Sequence, residues 1–166
     1  MTMATHSIVG ANVAVILQAN PALAGVAALV SHFVLDAIPH WDYQLKSSSS
    51  VTAEKVRGVH LLYGRALFFD LMKVGFDLAL GLLIIGLLFY PAGWSVLTLA
   101  YIGAGLAILP DVVQVIFGKW RHSALIYVQK LHDFCHADLR LAGRPMIGIS
   151  TQVLVVVVVI FLSRLF

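Results

Sequence analysis

Charge is scarce in this chain: 11% of its 166 residues are Asp, Glu, Lys or Arg. An ordinary soluble domain carries about 25%. Cysteine is scarcer still. Cys135 stands alone, which excludes an intrachain disulfide. No segment repeats, which excludes a solenoid or a propeller. No G-x-S-x-G occurs, so nothing marks the strained strand-to-helix turn of a serine hydrolase. Met1–Ser7 holds neither Lys nor Arg. A secretory leader needs a basic start, so no cleaved leader is expected.

What is abundant is apolar surface. Hydrophobic residues make up 60% of the chain, against about 45–50% in soluble domains, and the mean hydropathy is +0.93. This composition predicts an integral membrane protein with a single domain over residues 1–166. The net charge of +3 does not point to nucleic acid. The basic residues lie between apolar runs, where the positive-inside rule accounts for them.

The apolar runs predict an all-α bundle of five spans, at about 5–19, 22–38, 66–90, 94–117 and 147–163. The first two are short, so they form either a tight hairpin turned at Asn20-Pro21 or a re-entrant one. Ser47–Ser50 reads as a solvated stretch of the 39–62 loop. Pro110 is expected to interrupt the fourth span. The valine-rich last span is helical despite its β-branching, because only a helix or a closed barrel satisfies the backbone in lipid. Residues 119–142 place Trp120, Ala124, Tyr127, Val128 and Leu131 at helical spacing, which predicts an amphipathic helix on the membrane surface.

The stretch Ser31–Asp42, S-H-F-V-L-D-A-I-P-H-W-D, organises the polar residues. His32 and Asp36 are four apart, so a helix stacks them on one face. Pro39 ends that helix and leaves His40 and Asp42 on the turn beyond it. His132 and His136 form a second pair at the same spacing. In the five-span topology His6, His32, Asp36, His40, Asp42, Asp70, Asp77, Asp111, His132 and His136 all reach the side that carries most Lys and Arg. That side should be cytoplasmic, in a bacterial-type inner membrane, with the N-terminus on it. Asp70, Lys73 and Asp77 share a stripe, and Asp70 with Lys73 suits an ion pair. An ionisable residue inside a span needs a partner or water.

Imidazoles and carboxylates in this mixture suit a divalent ion. The expected ligands are His6, His32, Asp36, His40, Asp111, His132 and His136. Asp77 or Asp42 is the expected general base. Zinc suits the His-rich set best, the carboxylates also admit manganese or iron, and one or two ions fit the number of ligands. Cys135 is rotated off the His132/His136 pair and reads as packing. His60 and His122, with Arg57, Arg65 or Arg121, are candidates for contacts with anionic headgroups. Membrane lipids are the expected partners, and the oligomeric state is left open.

Thr5-His6, Ser31-His32-x-x-x-Asp36 and Leu109-Pro110-Asp111 resemble the motifs of the membrane-bound metal-dependent hydrolase family. Arg121-His122-Ser123 stands where that family often carries a longer His-Arg-Gly-x-Thr-His-Ser-like stretch. The resemblance implies a metal-dependent hydrolase. Position at the membrane surface points to a lipid or lipid-linked ester or phosphoester as substrate, attacked by a metal-activated water. The rival readings are a metal-binding or ion-transporting membrane protein without hydrolytic activity, and a structural or partner-binding one.

The charge asymmetry yields a test of orientation. A cysteine at Ser48 is expected to react only with reagents that reach the cytoplasm, and one at Ala92 only from the opposite side. Labelling of Ser48→Cys from outside intact cells overturns the orientation.

Overall fold

A computed structural model describes residues 1–53, 56–61, 64–120, 123–137, 141 and 143–165, with the side chains of 48–53 and 56–61 set aside. The expected headgroup contacts of Arg57, His60, Arg121 and His122 lie outside the described residues and side chains.

The elements follow in chain order as α1 (Met3–Ile16), α2 (Pro21–Asp36), β1 (Ser48–Ala53), β2 (Val56–Leu61), α3 (Arg65–Phe89), α4 (Trp94–Trp120), α5 (Ile126–Cys135) and α6 (Pro145–Ser163). Short 3₁₀ turns at Tyr90–Ala92 and Ser123–Leu125 precede α4 and α5. The hydroxyl of Thr2 caps α1 by accepting from the Thr5 amide at 3.3 Å. Asn20 caps α2 by accepting from the Leu23 amide at 3.1 Å, with Pro21 in the first turn where its missing N–H costs nothing. As expected from Pro39, α2 stops at Asp36.

Among the described residues three helical stretches are long and apolar enough to cross a membrane: Arg65–Ala92, Trp94–Trp120 and Pro145–Ser163. Of the five expected spans, the last three meet this length and apolarity. With 14 and 16 residues, α1 and α2 reach about 21 and 24 Å, short of a hydrocarbon core of about 30 Å. Instead α1 is the centre of the bundle. Eleven of its 14 residues are buried, and it touches α2, α3, α4 and α6. Outward-facing side chains belong to the other helices, such as Leu23, Val26, Val30 and Val34 on α2 and Phe69, Met72, Phe76 and Leu83 on α3.

Small residues let α1 sit so deep. A Cβ on Gly10 would lie 2.7 Å from the Gly103 carbonyl oxygen, and one on Gly103 would lie 2.6 Å from the Gly10 oxygen. Ala14 and Ala107 follow one turn along on each helix, so α1 and α4 cross through a pair of small-x-x-x-small stripes. A Cβ on Gly81 would lie 2.8 Å from the Ala4 Cα, so α3 approaches α1 almost as closely. Beyond this crossing, Ile8, Ala11, Val15, Ile85, Phe89, Leu97, Ala100 and Ala104 pack as one apolar cluster. Two polar ties cross the same half of the bundle. The Ser163 hydroxyl donates to Asn12 Oδ1 at 2.6 Å, and Arg164 donates to the Leu88 carbonyl at 3.1 Å.

Three details differ from expectation. The helical bundle carries one antiparallel hairpin, β1 with β2, in which Ser49 lies opposite His60, so the serine run is paired rather than part of a loop. Val51, Thr52, Val56 and Val59 supply the β-branching that favours strands. Pro110 does not break α4, which runs through it to Trp120. Proline removes one helical hydrogen bond, and burial among neighbouring helices offsets that loss. The amphipathic helix shortens to the ten residues of α5. Its apolar side chains Tyr127, Leu131 and Phe134 are exposed, while Gln129 and His132 face inward.

The α1–α4 crossing makes a measurable demand. Gly105 has open space where Gly103 has backbone. Gly103→Leu is therefore expected to destabilise the bundle by about 1–3 kcal/mol or more, and Gly105→Leu much less. Thermal unfolding in detergent, compared between the two variants, checks this. Equal midpoints would show that the close crossing is not required.

Candidate metal centre

The polar cluster is assembled at one end of the bundle by four connections. Helix α2 delivers His32 and Asp36 on adjacent turns of one face. Helix α1 brings His6, which stacks on the His32 ring at a centroid distance of 4.2 Å. Helix α4 brings Asp111, one residue after Pro110. The chain leaving α5 is stitched to the Ser31–Asp42 stretch by backbone: the Ala137 amide donates to the Asp36 carbonyl at 2.8 Å, and the Leu141 amide to the His40 carbonyl at 3.2 Å. That stitching sets His132 and His136 beside the first motif.

Asp36 is the hub. It is 1% exposed, so its carboxylate is out of water. Its Oδ1 lies 3.2 Å from His6 Nε2, and its Oδ2 lies 3.1 Å from His32 Nε2 and 3.2 Å from His132 Nε2. Asp111 Oδ1 stands 3.8 Å from His32 Nε2 and 3.5 Å from His132 Nε2. His40 Nε2 lies 3.0 Å from Asp42 Oδ2, and His136 Nε2 lies 3.8 Å from the same oxygen. The Met1 nitrogen lies 3.1 Å from one oxygen each of Asp36 and Asp42, and 2.9 Å from His40 Nε2.

These contacts are close, yet several are not hydrogen bonds. Both ring nitrogens of His6, His32 Nε2 and His132 Nε2 are buried without a hydrogen-bond partner. A buried polar atom left that way costs about 1–3 kcal/mol. The spacing has another meaning. Ligand atoms about 2.1 Å from a tetrahedral ion sit about 3.4 Å from one another. Three sets of ligand atoms meet this kind of spacing, within 4.8 Å in each set: His6, His32 and Asp36; His32, Asp111 and His132; Asp36, His40 and His136. The donors fit a divalent ion.

The other ring nitrogens behave as metal-ligating histidines require. His32 Nδ1 donates to the Ala107 carbonyl of α4 at 2.8 Å, leaving Nε2 free to ligate. His40 Nδ1 donates to the Ile38 carbonyl at 2.6 Å. His132 Nδ1 lies 3.3 Å from the Gln114 side-chain amide.

All seven expected ligands fall within these sets. Asp42 stands beside them with a side chain 41% exposed. Burial pushes its carboxyl up, but the His40 hydrogen bond and the Met1 charge outweigh this and hold it below the usual carboxylate range. Asp77 is placed differently: its Oδ2 accepts from the Ala4 amide at 3.2 Å, at the start of α1. Asp70 accepts from the Ser47 amide at 2.6 Å and pairs with Lys73 at 3.6 Å, the expected ion pair.

Gln152 was not singled out in the sequence. Its Oε1 accepts from the Thr2 amide and the Thr5 hydroxyl, each at 3.1 Å, and its Nε2 donates to the Trp41 carbonyl at 2.7 Å. Gly148, one turn earlier, lets α6 approach so closely that a Cβ there would lie 2.6 Å from the Trp41 nitrogen. Together they hold the His40–Asp42 turn against α6. A lone amide within the valine-rich run was the available signal.

No family model, curated protein or solved structure matches this chain.

The geometry sets a pH dependence. Burial pulls the His132 imidazole down, but the nearby Asp111 and Asp36 carboxylates outweigh it and raise its pKa to about 9. A ligating imidazole must be unprotonated. Metal affinity is therefore expected to rise with pH up to about 9, by up to about tenfold per unit for this proton. The metal-free protein should respond in the opposite sense. The His132 ion pairs contribute fully below the ordinary histidine pKa of about 6.5 and are lost as pH rises through about 9. Metal titrations and thermal melts across this range check both signs, and an affinity independent of pH would exclude His132 as a ligand.

Proposed function

We propose that this protein is a membrane-embedded metal-dependent hydrolase acting at the cytoplasmic surface on a lipid or lipid-linked ester or phosphoester. The observation that carries the reading is the convergence of buried, unpartnered imidazole nitrogens on the Asp36 carboxylate. The resemblance of Thr5-His6, Ser31-His32-x-x-x-Asp36 and Leu109-Pro110-Asp111 to motifs of the membrane-bound metal-dependent hydrolase family agrees with it. Zinc suits the donors best, with manganese or iron as close alternatives.

The site opens to water through Asp42 and Asp111, whose side chains are 41% and 24% exposed. Lipid lies within reach of the same end. Val34, two residues before Asp36, is exposed. A shallow groove of about 340 Å³ is lined by Met146, Ile147, Ser150, Thr151 and Leu154, and Thr151 donates to the carbonyl of Pro39, next to His40. An acyl chain in this groove would bring its ester or phosphoester end toward His40. Arg65, Lys119, Lys130 and Arg144 cluster at this end, which favours the cytoplasmic side and an anionic headgroup.

When bound, a divalent ion lowers the pKa of a water toward about 7 and polarises the ester or phosphoryl oxygen. The chain supplies the rest. Asp42, ionised at neutral pH, is the carboxylate placed to take the proton as the water oxygen bonds to carbon or phosphorus. The same proton then goes to the departing alkoxide, so that the alcohol leaves neutral. His40 Nε2 lies 3.0 Å from Asp42 Oδ2, which places the base beside an expected ligand. Asp77 is engaged with the α1 backbone, which leaves Asp42 as the base. The apolar cluster that fills the bundle beyond the site favours chemistry at one end over passage of ions through it.

Mixed micelles of a phospholipid and chromogenic esters and phosphodiesters provide the test. Hydrolysis is expected to vanish on chelation and to return with zinc or manganese. Asp42→Asn is expected to lower kcat by about 10²–10⁴-fold while retaining metal. A folded, metal-loaded protein that hydrolyses neither class would refute the reading.

A further inference from the structure

We propose that the centre holds two divalent ions bridged by the Asp36 carboxylate. The inference rests on the metal reading of the site and adds to it the number of ions, the division of ligands and a bridge. One ion accounts for only part of the geometry. His32 Nε2, His132 Nε2, Asp36 Oδ2 and Asp111 Oδ1 form one set, with neighbouring separations of 3.1, 3.2, 3.5 and 3.8 Å. That is close to the edge of a tetrahedron about a single small ion, and it already uses four ligands. His40 and His136 remain outside it, and they group with Asp36 as a separate set. Their rings stand 5.0 Å apart.

Asp36 belongs to both sets, and its two oxygens face different neighbours. Oδ2 faces His32 and His132, while Oδ1 faces His6 and the Met1 nitrogen. A carboxylate divided this way can hold ions about 3.5–4 Å apart, the spacing of two-metal hydrolytic sites. The Met1 nitrogen lies at this second position, in contact with Asp36, Asp42 and His40, and an ion bound there would displace it. This second position has three protein ligands, Asp36, His40 and His136. Three protein ligands leave a coordination position open, as catalytic sites require and closed structural sites do not. Asp42, partly exposed, borders that position.

Metal content and magnetic coupling in the full-length protein test the proposal. Loaded with manganese in detergent and freed of excess ion, the protein is expected to bind two ions per chain and to show the electron paramagnetic resonance spectrum of an exchange-coupled pair. His132→Ala and the double variant His40→Ala/His136→Ala should each retain about one ion, with an isolated-ion spectrum. Asp36→Asn should lose the coupling and most of the metal. Asp36→Glu, which keeps a bridging carboxylate, should retain the coupling if the Asn variant fails to fold. One ion per chain in the wild type, or two without coupling, overturns the bridge. Either result can coexist with hydrolysis, so it leaves the hydrolase reading standing. Two coupled ions without hydrolysis would do the reverse.

Discussion

A carboxylate buried to 1% exposure cannot stay ionised without compensating partners, and this structure is arranged to supply them to Asp36. Three imidazoles and the Met1 nitrogen lie within 3.2 Å of its oxygens. They come from α1, α2 and α5 and from the segment ahead of α1, so Asp36 ties together elements far apart in sequence. The backbone joins in as well, since the Asp36 carbonyl accepts from Ala137. Removing one partner leaves charge uncompensated in an apolar bundle, whereas removing the carboxylate leaves a group of imidazoles facing one another. The polar end is therefore a single unit in electrostatic terms, and a bound cation would complete it.

That unit depends on how closely α1 can enter the bundle. His6 reaches Asp36 because α1 lies between α2, α3, α4 and α6, and α1 fits there because Gly10, Gly81 and Gly103 allow near backbone contact. Three of the other polar residues of α1 are satisfied within the packing. Asn12 meets Ser163, Thr5 meets Gln152, and Ser7 donates to the Ala4 carbonyl. Asp77 satisfies the Ala4 amide near the start of the helix, where N–H groups lack intrahelical partners. An acid that reads as a candidate base thus has a structural position.

Much of the site was legible in the sequence because its chemistry conflicts with its surroundings. His32, Asp36, Asp111, His132 and His136 stand out against apolar runs, and the i, i+4 spacing has only one consequence on a helix. The span count was less legible. Hydropathy reports whether a segment avoids water, and a segment buried in protein avoids it as well as one buried in lipid. Residues 5–19 therefore read as a span although most of α1 touches protein.

By itself the sequence determined that the chain is mostly helical, with runs long and apolar enough to cross a membrane, since in lipid such runs have no other way to satisfy the backbone. It also determined that imidazoles and carboxylates gather at one end, because alternating short turns and basic loops leave them no other side. Only the tertiary structure decided which of them meet. Asp36 became the hub and Asp77 did not, because the first turns of α1 lie between them and offer backbone amides to one and the His6 ring to the other. Such a choice depends on the separation and rotation of packed helices. Those are set by the glycine contacts of α1 with α3 and α4, which no spacing within a single helix encodes.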